Sequence, residues 1–273
     1  MRTLENQTLL YDEDCPLCKA YTSTFIKTGM LDANGRKPYC SINVEEKSYV
    51  DIVRASNEIA LIDHHNKTVI YGIDSLLKVI GNSFPIIQKI GNFKPIHFFL
   101  KKLYSFISYN RKVVLPSNPK SKKVNCEPSF NLPYRIGYLV FGILVTGLVL
   151  TKFSALIPYI QQSNHFREIA IALGQLLFQF VFLHKSSLKK QIDYYGNLIS
   201  VSLFGSILLS PILVLNALTS ISFPIVIIWF LTVVLIIFFE HKRRVQLLEL
   251  PSYLSYTWIL YRILILGLLT INL

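Results

Sequence analysis

Beyond residue 133 the chain is built from five apolar segments, and these limit what it can fold into more than any other feature. They run over approximately 134–152, 168–184, 197–216, 222–240 and 253–272, each close to the roughly 20 residues that carry a helix across a bilayer. A backbone in hydrocarbon has to satisfy its own hydrogen bonds, so such segments read as membrane helices. Pro211 and Pro224 are expected to flank the loop between the third and fourth spans. The composition changes at the same point. Residues 1–133 hold 18 of the 28 Lys/Arg and 12 of the 16 Asp/Glu, which leaves 10 and 4 for the remainder. We expect an α/β domain over 1–112, a linker over 113–133 and an all-α transmembrane bundle over 134–273.

The charge distribution predicts sidedness. Nine Lys/Arg run from Lys89 to Lys123 with no acidic residue among them, directly before the first span. "HKSSLKKQ" (184–191) and "EHKRRVQ" (240–246) are also basic, whereas the loop near 153–167 has few charges and that near 211–223 has none. Basic loops alternate with neutral ones, which predicts a cytoplasmic N-terminus and an outside C-terminus in the cell (inner) membrane. The net charge of +12 is therefore read as topology and anionic-lipid contact, with no nucleic-acid partner. "MRTLENQTLLYDEDC" lacks the apolar core of a signal peptide, so the N-terminal domain is expected to stay where it is made. In "PIHFFLKKLYSFISYNRK", Ile96, Phe99, Leu100, Leu103 and Ile107 share a helical face. Two readings stand: a last helix packed on the N-terminal domain, or a helix lying in the inner-leaflet interface.

The N-terminal part begins with a short apolar run and then "YDEDCPLCKA", which places Cys15 and Cys18 three apart. "QTLLY" (7–11) reads as a strand, and Leu17, Tyr21, Thr24, Phe25 and Thr28 recur at helical spacing up to Gly29. Cys15 then falls at a helix N-terminus, with Pro16 at the first helical position, where its missing N–H costs nothing. Further on we expect a strand in "KPYCSINV", a helix in "EEKSYVDIVRASN", a hairpin in "EIALIDHHNKTVIYG" and a helix in "IDSLLKVIG". Strand–helix–strand–helix–hairpin–helix is the thioredoxin-like plan, with CxxC at the first strand–helix junction.

That position suits redox chemistry, because unpaired N–H groups and the helix dipole stabilise a thiolate. Cys15 is expected to be the exposed attacking thiol and Cys18 the resolving one. Asp12, Glu13 and Asp14 oppose thiolate formation, and Lys19 is the cation near them in sequence. A structural zinc site wants four ligands, and Cys40, Cys126, His64 and His65 are not suitably spaced, so no metal is expected. The two histidines read as decoration of a hairpin turn, Cys40 as a core residue and Cys126 as a bystander in the linker.

"LLYDEDCPLCKAY" resembles the motif of the DCC-type thiol–disulfide oxidoreductases, a thioredoxin-like family. "YSFISYNR" (104–111) resembles that family's Tyr…Asn-Arg ending. The resemblance spans roughly residues 7–112 and implies a redox role for Cys15 and Cys18. Glu13 stands where the family usually has Gly, and no proline lies between Tyr39 and Phe84, where thioredoxins carry a cis-proline. The membrane half lies outside the resemblance.

A membrane-bound thiol–disulfide oxidoreductase is the leading expectation. It requires no cofactor, and a quinone or a redox partner protein would serve as the electron partner. A transporter or scaffold with a thioredoxin-like sensing module, and a metal-handling membrane protein, are the alternatives. Arg262 lies midway along the fifth span, where a guanidinium is costly unless paired or wetted. Either it snorkels toward an interface with Tyr253, Tyr256, Trp258 and Tyr261, or it lines an intramembrane pocket with Gln175 and Gln179, near Glu168.

Overall fold

The computed structural model describes residues 2–118, 129–158 and 163–271. It comprises two compact units, Met1–Tyr134 and Arg135–Leu273.

The first unit is laid down as strand β1 (Gln7–Tyr11), helix α1 (Pro16–Lys27), strand β2 (Arg36–Pro38), helix α2 (Ile52–Asn57), strands β3 (Ala60–Asp63) and β4 (Thr68–Tyr71), and helices α3 (Ile73–Ser83), α4 (Pro85–Gly91) and α5 (Lys94–Val114). The sheet order is β2-β1-β3-β4. β1 pairs parallel with β2 and antiparallel with β3, and β3 pairs antiparallel with β4. Alternation along the two central strands builds a core on each face. Leu9 and Leu61 pack with Phe25 of α1 and Val79 of α3, whereas Leu10 and Ile62 pack with Ala55 of α2 and Tyr39. Helix α1 ends in a Schellman turn: Gly29 is at φ +70°, Met30 N–H donates to Phe25 O and Gly29 N–H to Ile26 O.

Three local expectations are corrected. The strand expected in "KPYCSINV" stops at Pro38, and Tyr39–Ser41 form a 3₁₀ turn. The helix expected over residues 45–57 is split: Glu46–Ser48 form a second 3₁₀ turn, and Asp51 caps α2 by accepting from Arg54 N–H (2.9 Å). Helix α4 was not anticipated; Pro85 starts it and its apolar residues Ile86, Ile87 and Ile90 are exposed, so no amphipathic signal announces it. Helix α5 packs by its C-terminal half, where Ser108, Asn110, Arg111 and Val113 are buried. Its N-terminal half leaves Phe98, Phe99 and Leu103 exposed.

The second unit consists of α6 (Leu132–Ser154), α7 (His165–Leu183), α8 (Leu188–Leu218), α9 (Phe223–Leu247) and α10 (Tyr253–Ile271). All five are long and apolar enough to cross a bilayer. Pro211 lies inside α8, not in the loop after it, and Pro224 occupies the first turn of α9. The helix passes the proline with help from its neighbours. Ser206 and Ser210 hydroxyls bond back one turn (3.0 and 2.8 Å), and the Trp229 indole N–H of α9 donates to Leu208 O (2.9 Å). Polar contacts gather where the helices meet the basic loops. Arg135 pairs with Asp193 (3.4 Å), Arg244 with Glu240 (2.7 Å) and Asn197 (3.0 Å), and His241 bridges Tyr194 and Ser255 (both 3.1 Å). Close approach of α6 and α8 requires Gly142, where a Cβ would lie 2.1 Å from Ile199 Cγ2.

Candidate functional site

The chain leaves the buried end of β1 through a turn that puts Asp12, Asp14 and Cys15 in fixed relation. Cys15 N–H donates to Asp12 O (3.2 Å), and Asp14 N–H donates to Asp12 Oδ1 (2.9 Å). Glu13 takes this turn without entering the left-handed region, so the bend tolerates a side chain where the resembled family has glycine. Among the described residues no peptide bond is cis. Cys15 is the N-cap of α1 and Pro16 opens the helix, as the spacing predicts. Cys18 N–H donates to Cys15 Sγ (3.4 Å), so the sulfur does the work that a Ser or Asp side chain does at an ordinary N-cap.

The two thiols are driven apart. The Cys15 pKa is lowered to about 6, first by the hydrogen bond from the Cys18 thiol, against the opposing effect of burial. The Cys18 amide and the Arg111 charge lower it further, while Asp12 opposes them. Cys18 moves the other way: giving its proton to the Cys15 sulfur and lying buried both hold it protonated. Tyr21, one turn on, is raised well above its ordinary value by burial. The exposed attacker expected from sequence is not found. Cys15 is 1 % exposed and Cys18 8 %.

A second correction concerns the balancing charge. Lys19 is partly exposed, and its carbonyl accepts from Arg36 Nη1 (3.3 Å). The buried cation that meets the acidic turn is Arg111 of α5, 99 residues along the chain from Asp12, with Lys112 farther off at 3.8 Å from the same carboxylate. Its Nε and Nη2 both reach Asp12 Oδ2 (3.1 and 2.9 Å). Nη2 also donates to Ser56 O (2.6 Å), and Nη1 to Asn57 O (3.0 Å) and Ser108 Oγ (2.9 Å). The guanidinium thus clamps the acidic turn to the last carbonyls of α2, the end of a helix that favours a cation. Tyr104, two turns earlier on the same face of α5, accepts from Ile59 N–H (2.8 Å), and burial raises its pKa to about 12. Ser108 between them donates to Asn57 O. The Tyr104…Asn110-Arg111 motif is therefore a structural stripe that bolts α5 across the CxxC turn. Asn110 sits at its end, fully buried, donating to Phe106 O (2.9 Å) and Tyr134 O (3.1 Å). The two motifs pair across the fold, with no local signal in either that they meet.

Beside Cys18 lies a cavity of about 200 Å³, lined also by Asp12, Tyr21, Glu58, Tyr104 and Arg111 among others. The other candidate ligands are dispersed. His64 and His65 sit at the β3–β4 turn, bonded to Thr8 (2.9 Å) and Asn66 (3.3 Å). Cys40 packs against the Leu10 core and is disulfide-bonded, a state the sequence did not announce; Cys126 lies outside the described residues. Among the described residues no three His, Cys, Asp or Glu side chains group as metal ligands.

In the second unit, Gln175 and Gln179 of α7 are both buried. Gln179 does not join a pocket with Arg262, contrary to expectation: it donates to Leu254 O (3.4 Å) and accepts from Thr257 (3.1 Å). Arg262 lies over the Trp258 ring at 5.7 Å and lines a cavity that also reaches Glu168. The Tyr261 hydroxyl donates to Ile171 O (2.8 Å) of α7, while Tyr253 and Tyr256 are exposed.

No family model, no curated protein and no solved structure matches the chain.

Proposed function

We propose that this chain is a membrane-bound thiol–disulfide oxidoreductase, with a thioredoxin-like unit that faces the cytoplasm at the inner membrane. The observation that carries the reading is the split between the two thiols: Cys15 at the N-cap of α1 favours its thiolate, and Cys18 keeps its proton. The sheet order β2-β1-β3-β4, with a parallel β1–α1–β2 unit followed by an antiparallel hairpin and a helix, supports the thioredoxin-like assignment. Five apolar spans supply the bilayer environment, and the basic loops support the orientation.

In the reducing direction, the Cys15 thiolate attacks a substrate disulfide. One Cys15–substrate S–S bond forms as the substrate bond breaks, and the first substrate thiolate leaves. Cys18 then loses its proton and attacks Cys15 Sγ, closing the Cys15–Cys18 disulfide and releasing the second thiolate. Two electrons pass from the dithiol to the substrate, and an oxidase would run the same steps backwards. Because Cys15 is almost fully covered, exchange requires a local opening of the residues over the helix N-terminus. Its partner in either direction is a redox protein or a membrane electron carrier.

The test is trapping. Cys15→Ser should abolish exchange, and Cys18→Ser should accumulate mixed disulfides on Cys15. Equal trapping by the two variants would remove the assigned order. A wild-type pair that stays reduced across a series of redox buffers would remove the function.

A further inference from the structure

The membrane unit holds a cavity of about 360 Å³, within the size range of small-molecule sites. Its walls are mostly aliphatic and aromatic, including Leu150, Phe153, Leu209 and Phe230, and it is polar where α6, α7 and α10 converge. There Thr146 Oγ1, Trp258 Nε1 and Arg262 Nε are buried with no hydrogen-bond partner among the described residues. Both amide atoms of Gln175 are likewise unmatched, in a small adjoining gap that Thr146 and Arg262 also line. Buried polar groups in native structures are normally satisfied. The three unmatched donor groups at this cavity mark a place where a ligand completes the bonding.

The groups define what fits. Indole and guanidinium only donate, and the Thr146 hydroxyl is free to donate, so the occupant presents acceptor oxygens. Glu168 does not answer Arg262, because it is held by Arg167 (2.8 Å) and accepts the Ser163 hydroxyl. A carboxylate head would meet the Glu168 charge. A neutral head carrying two carbonyl oxygens would instead accept from Thr146 of α6 and from Trp258 and Arg262 of α10, with its tail along the apolar wall. From this geometry we infer that the cavity is a binding site for an isoprenoid quinone, with Thr146, Trp258 and Arg262 donating to its carbonyl oxygens. The inference names the membrane electron carrier for the thiol chemistry proposed above, yet binding itself needs no cysteine.

The protein has two tryptophans, so Trp229→Phe leaves Trp258 as the reporter inside the cavity. Full-length Trp229→Phe protein, also carrying Cys15→Ser and Cys18→Ser and stripped of native lipid, would be titrated in nanodiscs with a decyl-tailed benzoquinone. Saturable fluorescence quenching is expected, weakened at least tenfold by Arg262→Leu and several-fold by Thr146→Val. Arg262→Leu replaces a buried charge, held over the Trp258 ring with its Nε unmatched, by an apolar chain, so its melting temperature without quinone should not fall. If that variant nevertheless fails to fold, Thr146→Val decides alone. Non-saturable quenching, titrations unchanged in Thr146→Val, or saturation by dodecanoate but not by the quinone would each overturn the assignment. Because the thiols are absent, these outcomes are separate from success or failure of the disulfide chemistry.

Discussion

Replacing Arg111 by Met keeps the length of the side chain and removes its charge, and two effects should follow that can be measured separately. The first is on the thiol. With its pKa at about 6, Cys15 is ~90 % thiolate at pH 7, against a few per cent for an ordinary cysteine. Arg111 lowers this pKa while Asp12 raises it, so loss of the guanidinium leaves the opposing carboxylate facing the more distant, partly exposed Lys112 (3.8 Å). An upward shift of about one pH unit or more is expected, in line with the effect of a close opposite charge. The second effect is on stability. Asp12 and Arg111 are both nearly inaccessible, and stranding one member of such a pair costs about 3–5 kcal/mol. Adding Asp12→Asn should restore most of that stability, because two neutral groups need no counter-charge. The assay is the pH dependence of iodoacetamide alkylation of Cys15 in reduced full-length protein with Cys18→Ala as a control, alongside thermal melting. If Arg111→Met leaves the alkylation midpoint where it was, the claim that this arginine tunes the thiol is wrong. If the double variant is no more stable than Arg111→Met alone, the buried pair is not what holds α5 to the acidic turn.

The same thiols make stability pH-dependent in the reduced protein. Cys15, lowered in the folded state, adds stability above its ordinary value of 9.0 that is lost as pH falls through about 6, whereas Cys18, raised, loses stability above its own ordinary value. The melting temperature should therefore peak near pH 9, and Cys15→Ser should flatten the acid limb; a steeper limb in that variant would contradict the assignment. Tyr104→Phe leaves Ile59 N–H without its acceptor and should cost about 1–3 kcal/mol, read by chemical denaturation, with a null result showing that water replaces the hydroxyl. Gly142→Val places methyl groups where Ile199 already sits and should destabilise the α6–α8 contact by about 1–3 kcal/mol, read as a lower melting temperature in detergent. Impermeant maleimide on intact cells should label a cysteine at exposed Ser220, between α8 and α9, and spare one at Lys185. The reverse pattern would place Cys15 in an oxidising compartment, where the bond at Cys40 would also be at home.

Periodicity exposed α1, the β3–β4 hairpin, α3 and α5, because in each the apolar residues repeat with the pitch of the element, whereas β1 and the five spans showed as continuous apolar runs. It failed where a single residue overrides the pattern. Asp51 captures Arg54 N–H and breaks one predicted helix, and Pro38 closes a strand that Tyr39, Ile42 and Val44 would have extended. Pro211 does not end α8, which runs on to Leu218 with the Trp229 indole bonded to Leu208 O beside the proline. The CxxC position was readable from chemistry within four residues. The burial of Cys15 was not, since it depends on chain that arrives much later. Nor could the Asp12–Arg111 pair be read, as two charged residues 99 apart carry no local signature of their meeting. In the membrane unit the oddity of Arg262 was plain, but Gln179 looked equally suspicious and is satisfied by the backbone of α10.

Helices α4 and the first half of α5 turn Ile86, Ile90, Phe93, Phe98 and Phe99 outward, and Lys89, Lys94, Lys101 and Lys102 rise among them. A unit with such a face would hold to anionic lipid on its own account, beside the linker after α5. A protease that cut there would not shed the unit into the aqueous phase, because the severed piece would still carry its own greasy, cationic sole. It would remain as a peripheral protein on anionic lipid, leave with high salt and detergent together, and clump in plain buffer. Fractionation of a cleaved sample would then report a membrane protein even after every span had been removed.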